Sequence, residues 1–142
     1  MLKQTHDVKL KTNDENLKLN LLNIRKVTDN SYQSVIEVHS RGFTCKYRFY
    51  LSESYLVKAI DNLKIMRRSF MGEAVLSEDY GLSEVTIKIN ELGQITVSGI
   101  ITETSGFDQK LEFDFSTDQT VLQPLIDDLE QVRILPLSSD EV

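Results

Sequence analysis

Apolar residues recur with a period of two along most of this chain, and with a period near 3.6 in two places. Val8 and Leu10 begin a short alternation, and Thr12-Asn13-Asp14-Glu15-Asn16 reads as a turn. Leu17, Leu19 and Leu21 then alternate with Lys18 and Asn20, as in a half-buried strand. The apolar set slips to Leu22 and Ile24, which predicts a bulge or bend near Leu21. Thr28-Asp29-Asn30-Ser31 is an Asx-type turn before a strand from Tyr32 to Val38. Ser40-Arg41-Gly42 makes a tight connection to a strand from Phe43 to Leu51, with Phe43, Cys45, Tyr47, Phe49 and Leu51 on the inward face.

The first helical pattern follows. Leu56, Ala59, Ile60, Leu63 and Met66 or Arg67 obey the i, i+3, i+4, i+7 rule, which predicts a helix over about Glu53 to Ser69. Ser52 or Ser54 is placed to cap its start, because a serine oxygen accepts from the free N–H groups there. Lys64, Arg67 and Arg68 suit the negative end of the helix dipole. Gly72 punctuates the chain before a strand through Ala74 and Leu76, which Asp79-Tyr80-Gly81 breaks.

Val85, Ile87 and Ile89 then alternate with Thr86, Lys88 and Asn90, and Glu91-Leu92-Gly93-Gln94 is a hairpin turn. The partner strand runs from Ile95 to about Glu103, with Gly99 marking a bulge or a close approach of another group. After a turn at Thr104-Ser105-Gly106, Leu111, Phe113 and Phe115 point inward while Lys110, Glu112 and Asp114 point out. Val121, Leu122, Leu125, Ile126, Leu129 and Val132 or Arg133 form the second helical stripe, within Thr117 to Leu135. Thr117, Asp118 or Thr120 is its candidate cap, and Pro124 predicts an irregular first turn.

The expected fold is therefore α+β. It comprises a mostly antiparallel sheet of about seven or eight strands and two amphipathic helices lying on one of its faces. Residues 1–142 are read as one domain, with residues 136–142 loose. Leu56 to Leu63 aligns with Leu122 to Leu129 at a constant offset of 66, which Phe49 and Phe115 share. That suggests two tandem strand-strand-strand-helix units over 1–70 and 71–135.

Charge changes this picture more than composition does. The net charge is −6, but residues 1–70 hold 13 Lys+Arg against 7 Asp+Glu, a balance of +6. Residues 71–142 hold 3 against 15, a balance of −12. An acidic half repels phosphates and attracts a basic partner, so no nucleic-acid partner is expected. No apolar run approaches the roughly 20 residues of a membrane span, and the start Met1 to Asp7 lacks a signal-peptide core. The lone Cys45 fits a reducing compartment, so a cytoplasmic location is expected and no membrane partner.

Candidate chemistry is sparse. His6, His39 and Cys45 lack the close spacing of zinc ligands, and Cys45 on an inward strand face reads as packing. Glu112 and Asp114 share the outer face of a strand, but no histidine or glycine-rich loop accompanies them to shift a pKa. There is no phosphate-binding loop, dinucleotide fingerprint, nucleophile elbow or zinc-protease motif. No catalytic residue, metal site or cofactor is expected, and the chain reads as non-enzymatic.

Three patches carry a resemblance. They are Arg67-Arg68-Ser69-Phe70-Met71-Gly72-Glu73-Ala74-Val75-Leu76, then Leu92-Gly93-Gln94-Ile95-Thr96-Val97-Ser98-Gly99, then Leu111-Glu112-Phe113-Asp114-Phe115-Ser116-Thr117-Asp118-Gln119-Thr120-Val121-Leu122. Together they resemble the WapI-like group of small bacterial immunity proteins, which accompany cell-wall-associated contact-dependent toxins. The resemblance implies an antitoxin that binds its cell's own toxin domain. Many such toxins are nucleases with basic grooves, which an acidic half would occupy. The outward carboxylates Glu112, Asp114, Asp118, Asp127, Asp128 and Glu130 are the candidate contacts, with Glu73 and Glu78 behind them. Two other readings stay open. One is a module that pairs exposed sheet edges into a homodimer, and the other is a small-ligand binder using an open sheet face.

Overall fold

In the computed structural model, residues 4–78, 82–103 and 109–138 are described. The expected breaks at Asp79-Tyr80-Gly81 and Thr104-Ser105-Gly106 lie outside them, as do residues 139–142 of the tail. The chain is α+β. Four strands, β1 (His6–Leu10), β2 (Leu17–Thr28), β3 (Ser31–Ser40) and β4 (Phe43–Ser52), lead into helix α1 (Glu53–Ser69). Four more, β5 (Glu73–Ser77), β6 (Glu84–Ile89), β7 (Gln94–Glu103) and β8 (Gln109–Asp118), lead through a 3-10 turn (Gln119–Val121) into α2 (Leu122–Arg133).

The eight strands do not make one sheet. They form two four-stranded antiparallel meanders, ordered β1-β2-β3-β4 and β5-β6-β7-β8. Each helix is thus preceded by four strands rather than three. Nor do both helices lie on one face of a common sheet. They pack on each other, with α1 against β5 and α2 against β1. One continuous core joins all the elements, from Val8 and Leu10 through Phe49, Ile60 and Leu63 to Phe115, Leu129 and Val132. Burying each of these large side chains contributes on the order of 2 kcal/mol before entropy is subtracted.

Local chemistry explains the connections. Arg41 and Gly42 both take positive φ, 52° and 92°, as a two-residue hairpin turn requires. The irregularity in β2 falls two residues beyond Leu21, where the register shifts between Leu22 and Arg25. Asn23 sits there at φ 54°, a conformation that asparagine tolerates better than leucine. Its N–H donates to Asp7 Oδ1 at 2.7 Å, so the bulge is held from β1. At the start of α1, Ser52 is the N-cap residue but its hydroxyl makes no cap bond. Its Oγ pairs instead with Ser54 Oγ at 2.8 Å, and the N–H of Glu53 donates to the Asn30 carbonyl. Pro124 lies in the first turn of α2, just after the 3-10 segment, in keeping with the irregular start. Residues 136–138 are tied down, since Ser138 N–H donates to the Lys26 carbonyl at 2.8 Å.

Sheet edges leave backbone groups to satisfy, and this chain treats its four edges differently. Helix α1 runs beside β5. The Asp128 carboxylate of α2 covers β1, accepting from the Lys9 N–H at 3.2 Å and meeting His6 Nε2 at 3.2 Å. The β3–β4 hairpin reaches β8, where Ser40 Oγ donates to the Asp114 carbonyl at 3.3 Å. Glu78 covers only the far end of β4, its Oε2 accepting from the Tyr50 N–H at 3.0 Å. Replacing Asp128 with alanine should therefore cost about 1 kcal/mol by removing its charge-assisted bonds to the Lys9 N–H and to His6. Amide hydrogen exchange at Lys9 should accelerate, whereas Asp128→Asn, which keeps an acceptor, should restore most of the protection.

Candidate partner-binding faces

Strand alternation decides which polar groups leave the core. On the outer face of the first sheet stand Lys9, Lys18, Arg25, Lys46 and Arg48, against Asp7 and Glu37. On the outer face of the second stand Glu73, Glu84, Glu112, Asp114 and Asp118, against Lys88 and Lys110. Five cations against two carboxylates give +3, and five carboxylates against two cations give −3. The charge asymmetry between the two halves of the chain is thus an asymmetry between two surfaces.

The acidic face has a defined register. Glu84, Ile100 and Glu112 form one cross-strand row. Thr86, Ser98 and Asp114 form the next, and Gln94 opposes Asp118. Glu112 and Asp114 are exposed and two residues apart, roughly 7 Å along the strand. Arg41 NH1 stands 4.0 Å from Asp114 Oδ1, but both side chains are about 70% exposed, so the pair contributes little. Asp118 ends β8, where its Oδ1 accepts from the Thr120 N–H at 2.9 Å and from the Thr120 hydroxyl. These two bonds hold its carboxyl below the usual carboxylate range.

The α2 carboxylates are placed differently. Asp127 is exposed and accepts from Gln123 Nε2 one turn earlier, at 2.8 Å. Asp128 is the cover of the β1 edge, half-buried against His6 and Lys9. Glu130 is half-buried between Lys64 Nζ at 3.8 Å and Arg133 NH1 at 3.9 Å, and so links the two helices. The six sequence candidates therefore divide: Glu112, Asp114 and Asp118 share one sheet face, Asp127 lies apart, and two carboxylates work within the chain. Of the two weaker candidates, Glu73 joins the sheet face opposite Lys88, and Glu78 is taken up by β4. Sequence reading missed Glu84, whose place beside Glu112 follows only from the β6–β7–β8 register.

The basic face is less evenly paired. Glu37 accepts from Asn20 Nδ2 at 2.9 Å and lies 3.5 Å from His39 Nε2. The Asn20 bond, aided by His39 and Lys46, keeps its carboxyl low. His39 is a cross-strand residue, its Nδ1 meeting Thr44 Oγ1 at 3.4 Å. Arg25 donates twice to Gln33 Oε1, and Arg48 lies over the Tyr47 ring at 5.2 Å. Cys45 is half-buried, and burial pushes its thiol up, away from the nucleophilic thiolate.

Among the described residues, no three His, Cys, Asp or Glu side chains gather as a metal site would need. The clefts are open. One of about 550 Å³ is lined by Lys9, Lys11 and Lys18 together with Asp14 and Glu15. Another, of about 290 Å³, separates Phe43, Cys45 and Tyr47 from Ile101 and Leu111. No helix of the described residues is long and apolar enough to cross a membrane.

These features define an acidic α+β protein whose polar groups are spread over two oppositely charged sheet faces. The chain belongs to the family described as Immunity protein WapI-like, whose model matches residues 9–133. An immunity role, exercised by binding a cognate toxin protein, is what that membership carries. No curated protein matches the chain. Among solved structures it is similar to one described as "Crystal structures of trypanosoma bruciei MRP1/MRP2". That likeness has a TM-score of 0.53 at 15% identity, over 93% of this chain and 84% of that one, and is a likeness of fold.

Proposed function

We propose that this chain neutralises its toxin without chemistry, by laying the outer face of the β5–β8 sheet over the toxin's basic substrate groove. The observation that carries the proposal is the charge balance of that face, five carboxylates against two cations, on a surface that backs directly onto the core. A sheet face with several exposed carboxylates, Glu112 and Asp114 roughly 7 Å apart along one strand, presents repeated negative charge as a phosphate backbone does. A groove built for nucleic acid is complementary to such a surface, so the toxin is inferred to be a nuclease. Glu84, Glu112, Asp114 and Asp118 are the contacts on which the proposal rests, with Glu73 at the margin. Rigidity helps, because side chains fixed on paired strands lose less freedom on binding than those on loops.

The test is co-expression with the product of the adjacent upstream gene. The expected result is restored growth and a complex of one copy of each chain that survives purification. A neighbour that is toxic, yet neither rescued nor bound, would remove the proposal for that pair.

A further inference from the structure

Strand β4 is an edge strand that its own sheet leaves half covered. Ser34 Oγ donates to the Phe49 carbonyl at 2.8 Å, so the backbone groups of Phe49 face β3. The Tyr50 N–H, one residue on, faces away and is taken by Glu78. Backbone groups alternate sides along a strand, so Thr44, Lys46 and Arg48 also direct their N–H and C=O groups to the open edge. Among the described residues, the bridge across that edge is Leu51 with Glu78, and on the side away from β3 no described strand pairs with Thr44 to Arg48.

The two sides of this open edge differ. Lys46 and Arg48 stand on the outer face, where Glu37, the cross-strand neighbour of Lys46, is already bonded by Asn20. Beside this edge lies the 290 Å³ cleft, where Phe43, Cys45, Tyr47, Ile101 and Leu111 supply an apolar lining and Thr44, Lys46, Glu103, Gln109 and Lys110 a polar one. Phe43 is 69% exposed there, an unusual position for a large aromatic ring. Edge lysines alone are a common guard against pairing, but a guard does not require a partly apolar cleft beside the strand. The chain also supplies its own precedent, since the carboxylate-bearing Glu78 already occupies the last position of the same edge.

We propose that the open edge of β4 receives an extended acidic segment of a partner protein, added as a fifth strand. Alternate residues of that segment place carboxylates against Lys46 and Arg48 and apolar side chains in the cleft, while its backbone pairs with Thr44, Lys46 and Arg48. This surface is distinct from the acidic face assigned to the toxin and does not depend on that assignment.

The probe is a synthetic peptide of alternating glutamate and valine, followed by fluorescence anisotropy and by amide exchange of the full chain. Controls are an isomer with its glutamates and valines in separate blocks, and the alternating peptide N-methylated at the positions that would pair with β4. The expected result is binding of the alternating peptide at least tenfold tighter than either control, with new protection at the Lys46 and Arg48 amides. Lys46→Glu combined with Arg48→Glu should weaken it by a similar factor in a chain that melts normally. Equal binding of the N-methylated peptide would overturn the proposal, since charge alone would then be the attraction. Protection at other strands, or at these amides through self-association without peptide, would overturn it too. Because no toxin enters the experiment, its failure leaves the immunity proposal standing, and the reverse holds as well.

Discussion

Replacing Gly99 by valine should destabilise this protein by about 3 kcal/mol, lowering its melting temperature by roughly 10 °C. Gly99 lies inside β7, paired with Val85 on one side and Phe113 on the other. A Cβ at this position would stand 2.6 Å from the Glu84 carbonyl oxygen and 2.8 Å from the Phe113 ring. The first contact is with backbone and the second with the ring of Phe113, which is only 8% exposed and packs beside Phe115, so neither can simply swing aside. Relief would require spreading the β6–β7 ladder or expelling Phe113 from the core. Alanine should show a smaller loss in the same direction. Ser98→Ala, one residue away on the outer face, should stay within about 0.5 kcal/mol of the native chain. A thermal melt followed by far-UV circular dichroism measures all three, and a valine variant of native stability would mean that β7 and β8 do not approach as described.

The second large effect concerns binding. Glu112→Lys together with Asp114→Lys shifts the acidic face by four charges, from −3 to +1. Both side chains are exposed, and the 4.0 Å pair of Asp114 with Arg41 is weak, so the fold should be retained. Association with a basic toxin groove should slow by about 10–100-fold at low salt, because steering by the face would be lost or reversed. Asp127→Lys, on a surface apart from the sheet, should change the rate far less. Stopped-flow mixing with the purified toxin domain checks both, and equal rates for the native and doubly substituted chains would remove the acidic face from the interface.

Much of the fold is legible in the sequence because it follows local periodicity. The bounds of α1 follow from Leu56, Ala59, Ile60, Leu63 and Met66, all fully buried, and from the mostly polar positions between them, where only Tyr55, Val57 and Ile65 depart from the pattern. The inward set Leu111, Phe113, Phe115 likewise fixes Glu112 and Asp114 on the outside. The division of eight strands into two sheets is not legible in this way, because alternation says which face a residue takes and not which strand it meets. The β2 bulge near Leu21 is legible from the same alternation: the apolar slip begins at Leu22, and the backbone turns at Asn23, which adopts positive φ and donates its N–H to Asp7.

The candidate contacts divide along the same line. Period two identified carboxylates on a strand face. Helical spacing could not reveal that Asp128 bonds to Lys9, a residue 119 positions away, or that Glu130 sits between Lys64 and Arg133. Glu84 was missed because a single carboxylate at the start of an alternation carries no signal until the strand beside it is known. Its neighbours across the ladder, Ile100 and then Glu112, make it part of the face.

Carboxyl footprinting of the complex tests the central claim most directly. Carbodiimide labelling of the free chain and of the toxin-bound chain, read by mass spectrometry, reports each carboxylate separately. The account predicts that Glu84, Glu112 and Asp114 lose their labelling in the complex while Asp127 and Asp14 keep theirs. Full labelling of Glu84, Glu112 and Asp114 in a complex that shields carboxylates elsewhere would contradict it.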